Sequence, residues 1–326
     1  MSTPPPASLA APARYPISGW IEAFAFVFAI AVLSVSYIVG QQVGAHPIAL
    51  ILTAMVVSSA ALLLVAKPGP GALRIMLAPQ SWLIGIGFIG MEVFYFMLLE
   101  HASPALGSLL VRLTIPVAML TGWVLVRRRP PGLALLGAGI VLAVVVLLAF
   151  TVDPGQRAAA FGAALGSALA FCLRTFATEF HPWNRRAKTV MEKLRITGLV
   201  VLVTSLTAVA LAAVFAAAIA SGRLAPIQMV PTLAQMLHPP TILLGIFVGV
   251  AVLTSMAVLS FSAVVKITSE NFTAVTALTP AATLLVQVAA GLAGVIPLFP
   301  IEHGLLPAIL VVFAAVVLIL YAARRR

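Results

Sequence analysis

A chain of 326 residues that is 62% hydrophobic and only 8% charged has too little polar surface to fold as a water-soluble protein. Its formal charge of +11 would point to nucleic acid in a soluble chain, but the basic residues sit in short segments between apolar runs, so a nucleic-acid partner is excluded. The lone cysteine, Cys172, rules out a disulfide framework within the chain.

The first 18 residues are Pro- and Ala-rich and are expected to be a disordered cytoplasmic arm. They do not read as a cleaved signal, because Arg14 is the only basic residue and no Ala-x-Ala site follows the first apolar run. Ten apolar runs follow, predicting membrane helices at 19–39, 46–66, 81–100, 104–126, 132–151, 158–180, 195–220, 240–265, 270–294 and 303–322. Each is far longer than the roughly 9–11 residues of a barrel strand, and lipid offers unpaired backbone groups no partner, so helix is the spanning form. With ten spans and cytoplasmic termini, fifteen Lys and Arg fall on the cytoplasmic side and only Arg157 and Arg223 on the other. This asymmetry predicts a multi-pass protein of a bacterial-type inner membrane, its basic loops lying beside anionic lipid.

In chain order, Ser34, Tyr37 and Gln41 form a short polar stripe on the first helix. The third carries Glu92 with Phe88, Tyr95 and Phe96 on one face, and the fourth carries Arg112 with Ser108 and Pro116. Glu92 lies eight residues before Glu100, and Arg112 eight after Pro104, so both sit about 12 Å below the tip of one sharp hairpin. Charges inside spans are costly and usually face the bundle interior with a partner. Two readings stay open. Either the two lock the hairpin as a permanent ion pair, or Arg112 meets a substrate carboxylate or phosphate while Glu92 meets an amine or a proton.

A polar link, Asp153-Pro154-Gly155-Gln156-Arg157, separates a unit at 19–151 from one at 158–326. In the sixth helix Arg174 lies near the inner end, close to Glu179, and is expected to snorkel to the interface, as is Glu22 in the first. Gly162-x-x-x-Gly166 and Gly245-x-x-x-Gly249 predict close helix packing, and a homodimer is left open. On the ninth helix Thr273, Thr276, Pro280, Thr283 and Gln287 make a second polar stripe, facing either a neighbouring helix or water. His46, His101, His238 and His303 all fall at the outer face, two beside Glu100 and Glu302; they read as surface residues, with no metal site and no cofactor expected.

Five spans per unit is an odd number, so the second unit enters the membrane from the opposite face, as an inverted repeat. Leu113-Thr114-Ile115-Pro116 in the fourth helix is matched by Leu278-Thr279-Pro280 in the ninth. The five-plus-five plan, the short turn between the third and fourth helices and the Pro in each unit's fourth helix resemble the drug/metabolite transporter superfamily, in its EamA-like branch. Members often carry Gly-Glu after the fourth helix of each half; here those places read Val126-Arg127-Arg128-Arg129-Pro130 and Gly294-Val295-Ile296-Pro297, a divergent pattern. The resemblance implies secondary transport of a small organic solute through a central cavity, with the fifth helix of each half peripheral. No nucleotide-binding loop is visible, so uphill movement would draw on a proton or exchange gradient. Expected is therefore a non-enzymatic transporter of a small polar or amphipathic metabolite, an exported amino acid or relative. Glu92, Arg112, Tyr95, Ser34, Tyr37, Gln41, Thr276 and Gln287 are its expected substrate contacts. An uptake permease for a vitamin- or nucleoside-like solute and a non-transporting assembly factor remain alternatives.

Overall fold

The computed structural model describes residues 16–99, 101–102, 104–227, 229–298 and 304–324. The N-terminal arm with Arg14, and Glu100, Ser103, Glu302, His303, Arg325 and Arg326, lie outside the described residues. Among the described residues, ten helices are long and apolar enough to cross a bilayer: α1 Ile17–Gln42, α2 Pro47–Ala66, α3 Pro79–Leu98, α4 Leu106–Val124, α5 Gly132–Ala149, α6 Arg157–Glu179, α7 Val190–Ala220, α8 Pro239–Ile267, α9 Ser269–Leu292 and α10 Leu305–Ala323. The chain is an all-α, multi-pass membrane protein whose outward leucines, such as Leu64, Leu147 and Leu310, are left for lipid to cover. We call the side on which α1 begins the start face and the other the far face.

Local chemistry sets several boundaries. Thr189 and Glu192 form a reciprocal capping box, so α7 begins at Val190, five residues before the expected 195. The His46 Nδ1 accepts the Ile48 N–H at 3.2 Å and starts α2, so this histidine is a helix cap.

Because lipid supplies no hydrophobic drive for helix association, close approach through small residues holds the bundle together. α3 lies along α6, where a Cβ on Gly87 would fall 2.7 Å from the Ala170 carbonyl oxygen. α2 packs on α7 and on α8, where Gly249 presses on the Ala54 carbonyl and Gly245 on Thr53. Gly166 seats the Phe94 ring, but Gly162 has open space around it, so only one member of that pair is a packing residue. α1 crosses to α8 and α9, while α5 and α10 pack on each other, joined at Gly137 against Ile319.

Three of the ten helices are irregular. α4 tightens to a 3-10 turn at Val111–Leu113, α8 loosens to a π-helical stretch at Val248–Leu253, and α9 breaks after Thr276 and restarts at Thr279. Proline explains two of them. Pro116 and Pro280 have no N–H to give the carbonyls of Arg112 and Thr276 four residues earlier, so each helix must rearrange there.

Candidate functional site

The break in α9 is filled by α4. Arg112 Nη1 donates to the Thr276 carbonyl, the acceptor that Pro280 leaves vacant, and the Thr279 hydroxyl donates to the same oxygen at 2.6 Å. Arg112 Nε is tied to its own helix through the Ser108 carbonyl at 2.9 Å. The guanidinium is thus fixed by backbone oxygens, from α4 and α9 together. It is 8% exposed, in a place where an uncompensated charge is expensive.

Glu92 does not pair with it. Among the described residues no ion pair joins the two, which overturns the hairpin lock. The Glu92 carboxylate accepts from the Tyr37 hydroxyl at 3.2 Å, and the arginine whose charge it feels is Arg174. That residue corrects the second expectation. Arg174 does not reach the interface: it is 5% exposed, its guanidinium lies 4.7 Å over the Phe88 ring, and its buried Nη1 has no hydrogen-bond partner among the described residues. Gly87 is the reason it fits, since a side chain there would strike the Arg174 backbone.

These three charges border one central cavity of about 180 Å³. A site for a single water needs on the order of 10–15 Å³ by this measure, so the space suits a small organic solute. Ser34, Tyr37 and Gln41 from α1, Glu92 and Tyr95 from α3, Arg112 from α4, and Thr276 and Gln287 from α9 all line it. Every residue of the sequence-derived set is therefore brought together. Arg174 and Ser167 from α6 join them, as do Pro280 and Thr283 of the α9 stripe. Thr273 does not; it is fully buried in packing, with its hydroxyl unpartnered. Phe88 underlies Arg174 and borders a smaller hollow of about 30 Å³ behind it.

Toward the start face the cavity ends at Phe26, whose ring meets Phe272 of α9 at 4.9 Å. Toward the far face it shares Gln41, Pro47 and Phe96 with a wider hollow of about 610 Å³, which the segment after α7 overhangs. The start face carries a knot of charge: Arg128, just past α4, reaches Glu179 at the end of α6 at 2.5 Å and Glu270 at the start of α9 at 3.1 Å. The Ser269 N–H donates to the other Glu179 oxygen at 2.9 Å, and the Arg128 guanidinium covers the Phe180 ring. Burial works to lower the pKa of Arg128, but its bonds to Glu179 and the charges of both carboxylates more than reverse this and hold it above its ordinary value. Lys266 pairs with Glu22 nearby, both side chains being partly exposed.

The knot went unread in the sequence because Arg128 counts there only as one basic loop residue among many. The available signal was acidic: Glu179 and Glu270 are two of eight acidic residues, and both sit at span ends on the basic face. His181 was also missed. It is fully buried between α6 and α7, its Nε2 lies 3.0 Å from the Ser81 hydroxyl, and its Nδ1 accepts from the Asn184 N–H. Because Ser81 gives its proton to the Ile75 carbonyl, the imidazole must carry its hydrogen on Nε2. Of the other histidines, His238 bonds Thr241, and no cluster of three or more His, Cys or acidic residues able to hold a metal occurs among the described residues.

The fold and site define a ten-helix membrane protein with a charged central cavity. No family model matches the chain, and no curated protein matches its sequence. Its fold is similar to that of a solved structure described only as the crystal structure of a protein. The TM-score is 0.63 at 19% identity, over 95% of this chain and 99% of the other, a likeness of fold alone.

Proposed function

We propose that this protein is a secondary transporter of the drug/metabolite type that moves a small polar or amphipathic metabolite, an amino acid or relative, out of the cell across the inner membrane. One observation carries the reading: side chains from α1, α3, α4, α6 and α9 converge on a cavity that holds three buried charges and adjoins a wider hollow toward the far face. A protein whose helices served only to assemble a complex would have no use for charge kept unpaired at that depth. In this reading the five-helix units are inverted repeats and rock about the cavity, and the Arg128 knot opens when the far-face exit closes. Arg112 takes an acidic group of the solute, Tyr95 and Tyr37 flank it, and Glu92 takes an amine or a proton.

The test is a thermal-shift screen of purified protein against metabolites, repeated on Arg112→Ala and Glu92→Gln. A stabilising solute that loses its effect in either variant supports the reading. A hit undiminished in both removes the charged residues from the site, and a vitamin- or nucleoside-like hit transfers the reading to uptake of that class.

A further inference from the structure

We infer that Arg174 is a second anion-binding arm of the cavity and that the cargo carries net negative charge on a compact acidic group, a carboxylate or sulfonate. The inference rests on the proposed solute cavity and names the chemical class that fits it. Fixed charges are the first ground. Arg112, Arg174 and Glu92 border one space, and two cations against one anion leave it with an excess of one positive charge. A zwitterion keeps that excess and a cation doubles it; a monoanion cancels it. Desolvated charge is costly enough for the neutralising solute to be favoured strongly.

The second ground is the state of each arginine. Arg112 spends its Nε and Nη1 on backbone carbonyls, a permanent anchoring that points the rest of the group at the cavity. Arg174 is held from behind by the Phe88 ring, while its Nη1 is buried without any acceptor. A buried guanidinium nitrogen with nothing to donate to is costly and rare in a finished structure. Arg174 also borders the cavity, and the fork geometry of its guanidinium suits the two oxygens of a bound acidic group. The apolar wall supplied by Phe26, Ile30 and Met91 accepts the remainder of an amphipathic solute.

The excess charge can be read without knowing the cargo. In a Cys172→Ala background, Ser34→Cys places a thiol on the cavity wall, and its reaction rates with anionic sulfonatoethyl and cationic trimethylammonioethyl methanethiosulfonate are compared with those of a free thiol. The normalised anion-to-cation ratio is expected to be about tenfold above one, from field focusing in a low-dielectric cleft. Arg174→Gln should lower it several-fold and Arg174→Lys should keep it. Glu92→Gln should raise it, which reads the same field should Arg174→Gln fail to fold. A reactive thiol with a ratio near one, or one indifferent to both substitutions, overturns the inference and leaves the cavity standing. A thiol that reacts with neither reagent from either side overturns the accessible cavity itself.

Discussion

Two groups of buried charge are built on opposite terms. At the start face, Arg128 is ion-paired with both Glu179 and Glu270, and the Ser269 amide donates to Glu179. In the central cavity Glu92 is bonded by a neutral phenol, Arg112 by backbone carbonyls, and Arg174 lies over a ring with one nitrogen unpartnered. Mutually neutralised charge holds structure together. Charge kept apart at equal expense is available to something that arrives from outside. The same residue types therefore do opposite work, and each contrast below tests that division.

The largest effect should come from the knot. Arg128→Ala strands Glu179, only 5% exposed, beside Glu270, and is expected to cost about 3–5 kcal/mol, read as a lowered thermal midpoint in detergent. Arg174→Gln should differ by less than about 1 kcal/mol or stabilise, because it removes a buried charge that has no ion-pair partner. Equal losses in the two variants would erase the distinction.

Gly87→Ala probes the support of the cavity. The added methyl meets the Ala170 carbonyl and the Arg174 amide within 2.8 Å, so α3 and α6 must part at an expected cost of about 1–3 kcal/mol. The methanethiosulfonate ratio should fall with it, since Arg174 rides on the displaced helix.

His181 offers a pH contrast away from the cavity. Burial lowers its pKa from 6.5 to about 4, so the folded state keeps it neutral. Its contribution is complete above pH about 6.5 and is lost as pH falls toward 4, worth on the order of 2 kcal/mol between pH 7.5 and 5. Thermal midpoints of wild type should drop over that interval, and His181→Gln should be less stable at pH 7.5 with a flatter profile. The smallest change is Tyr37→Phe, which removes one hydroxyl donor from Glu92 and should cost about 1 kcal/mol or less in stability.

The ten spans were legible because the apolar runs are long and the loops short, and the stripes on α1 and α9 were legible because polar side chains at helical spacing are conspicuous in such runs. The partners of the charges were not. Equal depth for Glu92 and Arg112 was sound arithmetic on straight helices, yet Pro116 and Pro280 interrupt α4 and α9, and Arg112 bonds the Thr276 carbonyl instead. Arg174 looked interfacial because it lies only five positions before Glu179 at the span end. The deciding contact, Gly87 under its backbone, lies 87 positions earlier in the chain and leaves no trace in local pattern. Capping chemistry moved the start of α7, and the Arg128 knot depends on three chain segments that only the packed bundle brings together.

The most direct measurement of the central claim is counterflow in proteoliposomes of an acidic solute that stabilises the purified protein. Wild type should exchange it saturably, and Arg112→Ala and Arg174→Gln should each lower the exchange rate by about tenfold or more while remaining folded. A solute that binds but never crosses, or one that crosses equally well in both variants, would contradict the account.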